Sequence, residues 1–115
     1  MLQWVRLTSE DQLREVTKES LDKPVLIYKH STRCGVSNIA LKRLEKDSFA
    51  LSNMVKPYFL DLILYRQISN DVADYYQIRH ESPQVLIIQN GSCIYHSSHI
   101  AISAEEINSI LQNQN

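Results

Sequence analysis

Cys34 lies in the polar run His30-Ser31-Thr32-Arg33-Cys34-Gly35-Val36-Ser37, and a cysteine in that company can serve as a nucleophile. The thiolate, not the thiol, attacks disulfides, and an electropositive, partly exposed setting favours it. A lone cysteine is ordinarily a small buried hydrophobe. Cys34 departs from that habit: it follows an apolar run, opens a helical pattern and adjoins Arg33. At a helix start a thiolate can accept hydrogen bonds from free amides, here those of Val36 and Ser37. The helix dipole contributes about 0.3–1 kcal/mol to the same end, and Arg33, with His30 when protonated, adds a positive field. A second group, Cys93-x-x-His96-x-x-His99, has the residue types of a metal site. On a regular strand, residues three apart face opposite ways, so Cys93 and His96 should diverge, and no metal is expected. His80 is read as a loop residue, Lys42 to Asp47 as a solvated helix face and Tyr75-Tyr76 as packing.

These residues need elements to hold them. Trp4 to Leu7 reads as a short first strand. Ser9-x-x-Gln12 has the form of a capping box opening a helix with Leu13, Val16 and Leu21 on its apolar side. Pro24 to Tyr28 is a continuous apolar run, as in a strand covered on both faces. The helix after Cys34 should bury Val36, Ile39, Ala40 and Leu44. A third strand is expected over Val55 to Asp61, then a short helix from Asn70 to Tyr76 capped by Ser69. Asn90-Gly91, between Gln84–Ile88 and Cys93–Tyr95, is a hairpin signal because both residues tolerate positive φ. Ser103-x-x-Glu106 is a second capping box, and its helix runs through Ile107, Ile110 and Leu111. The order is βαβαβαββα: an α/β fold with a mixed central sheet and helices on both faces. All 115 residues form one domain, with a polar tail from Gln112 to Asn115.

Charge and composition narrow the partners. The formal net charge is −1 and the basic residues are scattered, whereas a nucleic-acid binder shows a basic stripe. No apolar run approaches the ~18 residues of a membrane span. Met1 to Ser9 does not read as a signal peptide. Two cysteines without an export signal indicate a reducing, cytoplasmic setting. Neither nucleic acid nor membrane is expected as a partner. Cys93, just past the Asn90-Gly91 turn, should lie about 16 Å from the Cys34 end of the sheet. A disulfide tolerates Cα separations only to ~7 Å, so the two cysteines should not pair.

The Cys34 segment between strand and helix resembles the active-site segment of thioredoxin-like proteins. Asp61, Tyr76-x-Ile78 and Ser82-Pro83 before an apolar strand resemble the thioredoxin stretch leading to its cis-proline. Most specifically, Lys29-His30-Ser31-x-x-Cys34-x-x-Ser37 and His80-Glu81-Ser82-Pro83-Gln84 are similar to the YtxJ family of monothiol bacilliredoxins, over nearly the whole chain. That resemblance implies a thioredoxin-like fold and a cis Ser82-Pro83 bond beside Cys34. Ser37 stands where a dithiol enzyme has its second cysteine; its hydroxyl can steady a thiolate but cannot resolve a mixed disulfide. Cys34 and Ser37 are the expected catalytic residues. Ser31, Thr32, Arg33, Gly35, Val36, Ser82, Pro83 and His99 are expected to line the substrate. Gly35 replaces the proline usual in the motif, which loosens the helix start. The strand before the loop also lacks the buried carboxylate that assists thioredoxins, leaving proton handling to solvent, His30 or the substrate.

The implied activity is monothiol thiol–disulfide exchange, removing a low-molecular-weight thiol from thiolated client proteins. The thiol implied is bacillithiol, as co-substrate, with no resident cofactor. Its malate and sugar would need positive and hydroxyl groups, for which Arg33, Lys29, Ser31, Thr32 and His99 are candidates. An alternative is an iron–sulfur carrier like the monothiol glutaredoxins, whose Cys-Gly-Phe-Ser motif is close to Cys34-Gly35-Val36-Ser37. Their glutathione-gripping Gly-Gly-x-Asp segment is missing, since Ser97-Ser98-His99-Ile100 stands near its place. A non-catalytic binding module of the same fold is the third reading.

Overall fold

The continuous apolar run becomes the central strand, β2 (Val25–His30), buried at every position in a computed structural model describing residues 2–113. Among those residues the chain forms β1 (Val5–Arg6), α1 (Glu10–Glu19), β2, α2 (Gly35–Lys46), β3 (Lys56–Asp61), α3 (Arg66–Tyr76), β4 (Gln84–Gln89), β5 (Ser92–Ser98) and α4 (Ala104–Gln112). A 3-10 turn, His99–Ala101, joins β5 to α4. The strands lie in the order β1-β3-β2-β4-β5. β1 and β2 run parallel to β3, and β4 runs antiparallel to β2 and β5. This is the expected mixed sheet and order. The expected polar tail begins inside α4, and Met1, Gln114 and Asn115 lie outside the described residues.

Alternation along β2 feeds two cores. Leu26 and Tyr28 pack with Ala40, Leu44, Val85, Ile87 and Ile107, under α2 and α4. Val25 and Ile27 pack with Leu13, Val16, Val72, Leu86 and Ile88, under α1 and α3. Burying such a side chain contributes about 1.5–3 kcal/mol, so a strand feeding both layers is well anchored. Both capping serines act as expected: Ser9 Oγ accepts from Gln12 N at 3.2 Å, and Ser103 Oγ from Glu106 N at 3.2 Å. The reciprocal halves of the boxes go elsewhere. Gln12 Oε1 accepts from Thr8 N at 2.7 Å, and Glu106 Oε1 from Tyr95 OH at 2.6 Å. Asn90 and Gly91 take φ of 53° and 83°, as their turn requires.

Four local expectations are corrected. Leu21 falls past the end of α1 and is 63% exposed. α3 starts a turn early, after Tyr65, because Asp61 Oδ1 accepts from Ile63 N (3.1 Å) and Leu64 N (3.2 Å) and folds the chain there. Ser69 is therefore a buried residue inside the helix, not its cap. In α2 the buried stripe is Ser37, Ala40 and Leu44, while Val36 and Ile39 are exposed. Of the tyrosine pair, Tyr76 is buried and Tyr75 is half-exposed against its edge.

Candidate active site

The C-terminal end of β2 delivers the loop and Cys34. Cys34 is the N-cap residue of α2, with extended backbone (φ −113°, ψ 117°). Its N–H donates to Ser31 O at 3.1 Å, and its carbonyl accepts from Asn38 N at 3.2 Å. The thiol is free and half-buried. Its sulfur makes no side-chain cap hydrogen bond among the described residues, so the expected bonds from Val36 and Ser37 amides are not present in this resting geometry. Thr32, Arg33, Gly35 and Val36 are exposed around it. Gly35 has no atom within 4 Å of where a Cβ would stand, so open approach, not a steric demand, distinguishes the position.

Ser37, one helical turn on, is sealed inside. Its Oγ accepts from Ser31 N at 3.1 Å and lies 2.7 Å from His30 Nδ1. Tyr28 OH donates to its carbonyl at 2.9 Å. Burial with partners explains how a serine takes a core position that the apolar pattern assigned to Val36. The hydroxyl thus ties the loop to β2. His30 is buried against Phe59 and Tyr28, with ring centroids 5.3 and 6.0 Å away. Burial pushes its basicity below the ordinary histidine value, with the Asp61 charge opposing. Asp61, its register partner on β3, is also buried. Burial also raises the Tyr28 phenol to about 12.

Ser82-Pro83 is cis. Gln84, the next residue, pairs with Lys29 on β2 and with Ser98 on β5, so this segment stands at the end of β2 that leads to Cys34. His99 N donates to Pro83 O at 3.0 Å. His99 is exposed and left-handed (φ 57°); β5 therefore runs back to the Cys34 end. Arg43 Nη1 donates to Ile100 O at 3.2 Å and pins this turn to α2. The sheet end thus gathers the Cys34 loop, the cis-proline segment and His99. It withdraws Lys29, which is fully buried, from the groups able to reach a ligand, and holds Ser31 at 8% exposure.

The metal argument needs correcting in its reasoning. Ile88 pairs with Cys93 but Ile87 with Tyr95, leaving Ile94 as a bulge. The extra residue resets the alternation, so Cys93 and His96 share a face instead of diverging. Among the described residues, no three His, Cys, Asp or Glu side chains gather where they could hold a metal ion. Sequence reasoning also passed over the burial of Lys29 and its contact with His80. An uninterrupted buried strand ending in two ionisable residues was the signal.

A family model described as monothiol bacilliredoxin BrxC matches residues 5–107. A solved structure described as a candidate oxidoreductase with a thioredoxin fold is 27% identical, with a TM-score of 0.80, over 96% of this chain and 94% of its own. Thioredoxin from Malassezia sympodialis is 24% identical over 93% and 86%, at a TM-score of 0.70. Thioredoxin from Trypanosoma brucei brucei is 17% identical over 95% and 88%, at 0.74. The last two likenesses show the thioredoxin fold alone.

Proposed function

Because the chain belongs to the monothiol bacilliredoxin family, whose members are thiol redox proteins, we propose that it removes bacillithiol from protein mixed disulfides through Cys34. The supporting observation is the contrast at the start of α2: Cys34 is half-exposed at the N-cap, while Ser37, a turn later, is buried and engaged by His30. No thiol stands at the second position to resolve an adduct. The Cys34 thiolate attacks the bacillithiol sulfur of the mixed disulfide. A Cys34–bacillithiol disulfide forms, and the client sulfur leaves as a thiolate that takes up a proton. A second bacillithiol thiolate then attacks the adduct, releasing oxidised bacillithiol and restoring Cys34. The backbone at Ser82 receives the client chain by strand addition. The reaction uses no resident cofactor and runs in the cytoplasm, where small thiols are reduced. Among the described residues no helix is long and apolar enough to cross a membrane.

Arg33 is exposed beside Cys34, and a guanidinium can grip the malate carboxylates of bacillithiol bidentately. Arg33→Ala is expected to slow release of bacillithiol from a client about tenfold, the scale of one charge-assisted hydrogen bond, while reaction with a small neutral disulfide changes little. Wild-type protein that clears a glutathionylated client as fast as a bacillithiolated one would overturn the choice of thiol and leave the one-cysteine mechanism standing.

A further inference from the structure

Lys29 is a buried charge that the exchange chemistry leaves unused. It points to the α1 and α3 face of the sheet, opposite His30 and Ser37, and is fully buried. Burying an ammonium is costly unless its protons find acceptors. Lys29 Nζ donates to Ser69 O, inside α3, at 3.0 Å and lies 3.1 Å from His80 Nδ1. His80 Nδ1 is also 3.3 Å from Ser69 Oγ. An ammonium has donors only, so His80 must offer Nδ1 as a lone pair and stay neutral. That agrees with burial, then the Lys29 and Arg66 charges, holding its basicity below the ordinary value against Glu81. Gln84, the register partner of Lys29, is fully buried on the same face. Its Nε2 donates to Arg79 O at 3.0 Å, while its Oε1 has no partner among the described residues. One lysine therefore joins β2, α3 and the segment from Arg79 to Pro83.

We propose that Lys29 is a positioning residue for disulfide exchange: by holding His80 and α3 to β2, it sets the Ser82-Pro83 backbone against Cys34 for an extended substrate. The inference rests on the exchange reading above and adds how the substrate chain is registered. Productive attack needs the reacting sulfurs near contact and in line. A cis-proline segment free to shift by an ångström would spoil that geometry for a substrate that pairs with it. A substrate too small to pair would not notice.

The test compares two disulfides carrying the same small thiol, on the full chain: an extended peptide with a mercaptoethanol mixed disulfide, and hydroxyethyl disulfide itself. Lys29→Met is expected to raise KM for the peptide about tenfold, with kcat, the hydroxyethyl disulfide rate and Cys34 alkylation by iodoacetamide each within twofold of wild type. His80→Leu is expected to match Lys29→Met, whereas His80→Asn, whose Oδ1 can stand in for Nδ1, is expected to restore the peptide KM. Amide exchange over residues 79–84 is expected to quicken about tenfold in Lys29→Met and His80→Leu and not in His80→Asn. The His80 pair carries the test if Lys29→Met does not fold. Equal slowing of both disulfides, or unchanged peptide KM and amide exchange, would overturn the positioning role. Wild-type protein whose Cys34 alkylates yet ignores both disulfides would instead overturn the exchange reading, and the amide-exchange comparison then decides alone whether Lys29 holds the segment.

Discussion

Cys34 and Cys93 occupy opposite ends of the same sheet, and their difference shows what makes a thiol available. Cys93 pairs with Ile88, which pairs with Val25, the first residue of β2; Cys34 follows the last. Both are half-buried and free. Cys93 lies beside the bulge of an edge strand, and its Sγ donates to Tyr95 O at 3.2 Å. Burial pushes its thiol up from the ordinary value. Cys34 instead has a helix start beneath it and exposed loop residues around it. Fractional exposure does not separate the two cysteines. What separates them is the backbone around each: Cys34 caps α2, whereas Cys93 lies inside β5.

The largest effect expected is from loss of the Cys34 thiol, set against loss of the Cys93 thiol. Cys34→Ser should abolish release of small thiols from a client, and Cys93→Ser should leave the rate within about twofold, the margin of a surface change. An intramolecular Cys34–Cys93 disulfide seen by mass spectrometry after mild oxidation would undo the separation, since the register sets them about 16 Å apart along the strands. Next is the hydroxyl under the Cys34 loop. Ser37→Ala leaves Ser31 N and His30 Nδ1 without their partner, which should cost about 1–3 kcal/mol in urea unfolding. A variant as stable as wild type would mean that the loop needs no such anchor.

The pH dependence of stability sharpens the comparison at the Cys34 end. Burial lowers Lys29 to about 8 from the ordinary 10.5. Below 8 the folded and unfolded states are both protonated, and the burial penalty is present in full. Between about 8 and 10.5 the unfolded chain binds more protons, so the contribution of this group to stability rises with pH. Wild-type protein should therefore gain on Lys29→Met from pH 7 to 10, by an amount on the order of 3 kcal/mol at most. Urea titrations of both proteins at these pH values check it. Parallel curves would show that Lys29 does not titrate in that range. The smallest effect expected is on the Cys93 side: Cys93→Ala should cost no more than about 1 kcal/mol, since a thiol makes only weak hydrogen bonds, as Sγ does to Tyr95 O.

Much of this was legible in the residues. The apolar run over Val25–Tyr28, the serines at 9 and 103 and the Asn90-Gly91 turn act over a few neighbouring residues, so they read directly. The Cys34 and Ser82-Pro83 segments were recognisable as a family pattern. What misled were positions where a local preference met a distant partner. Ser69 has the chemistry of a cap, but the interior of α3 takes it, because Asp61 starts the helix a turn early, and its carbonyl then serves Lys29 across 40 positions in the chain. Val36 looks like core, yet it is exposed and Ser37 takes the buried position, because His30 and Ser31 satisfy the serine.

By itself the sequence determined the order of elements, the two-sided burial of β2 and the placing of Cys34 at a strand-to-helix junction. Hydrophobic periodicity, turn chemistry and capping are properties of short stretches. Only the tertiary structure decided that Cys93 and His96 share a face, that buried Lys29 meets His80, and that Asp61 is paired with His30. Each depends on a bulge, a strand pairing or a charge meeting its acceptor from another element. No window of neighbouring residues contains both partners.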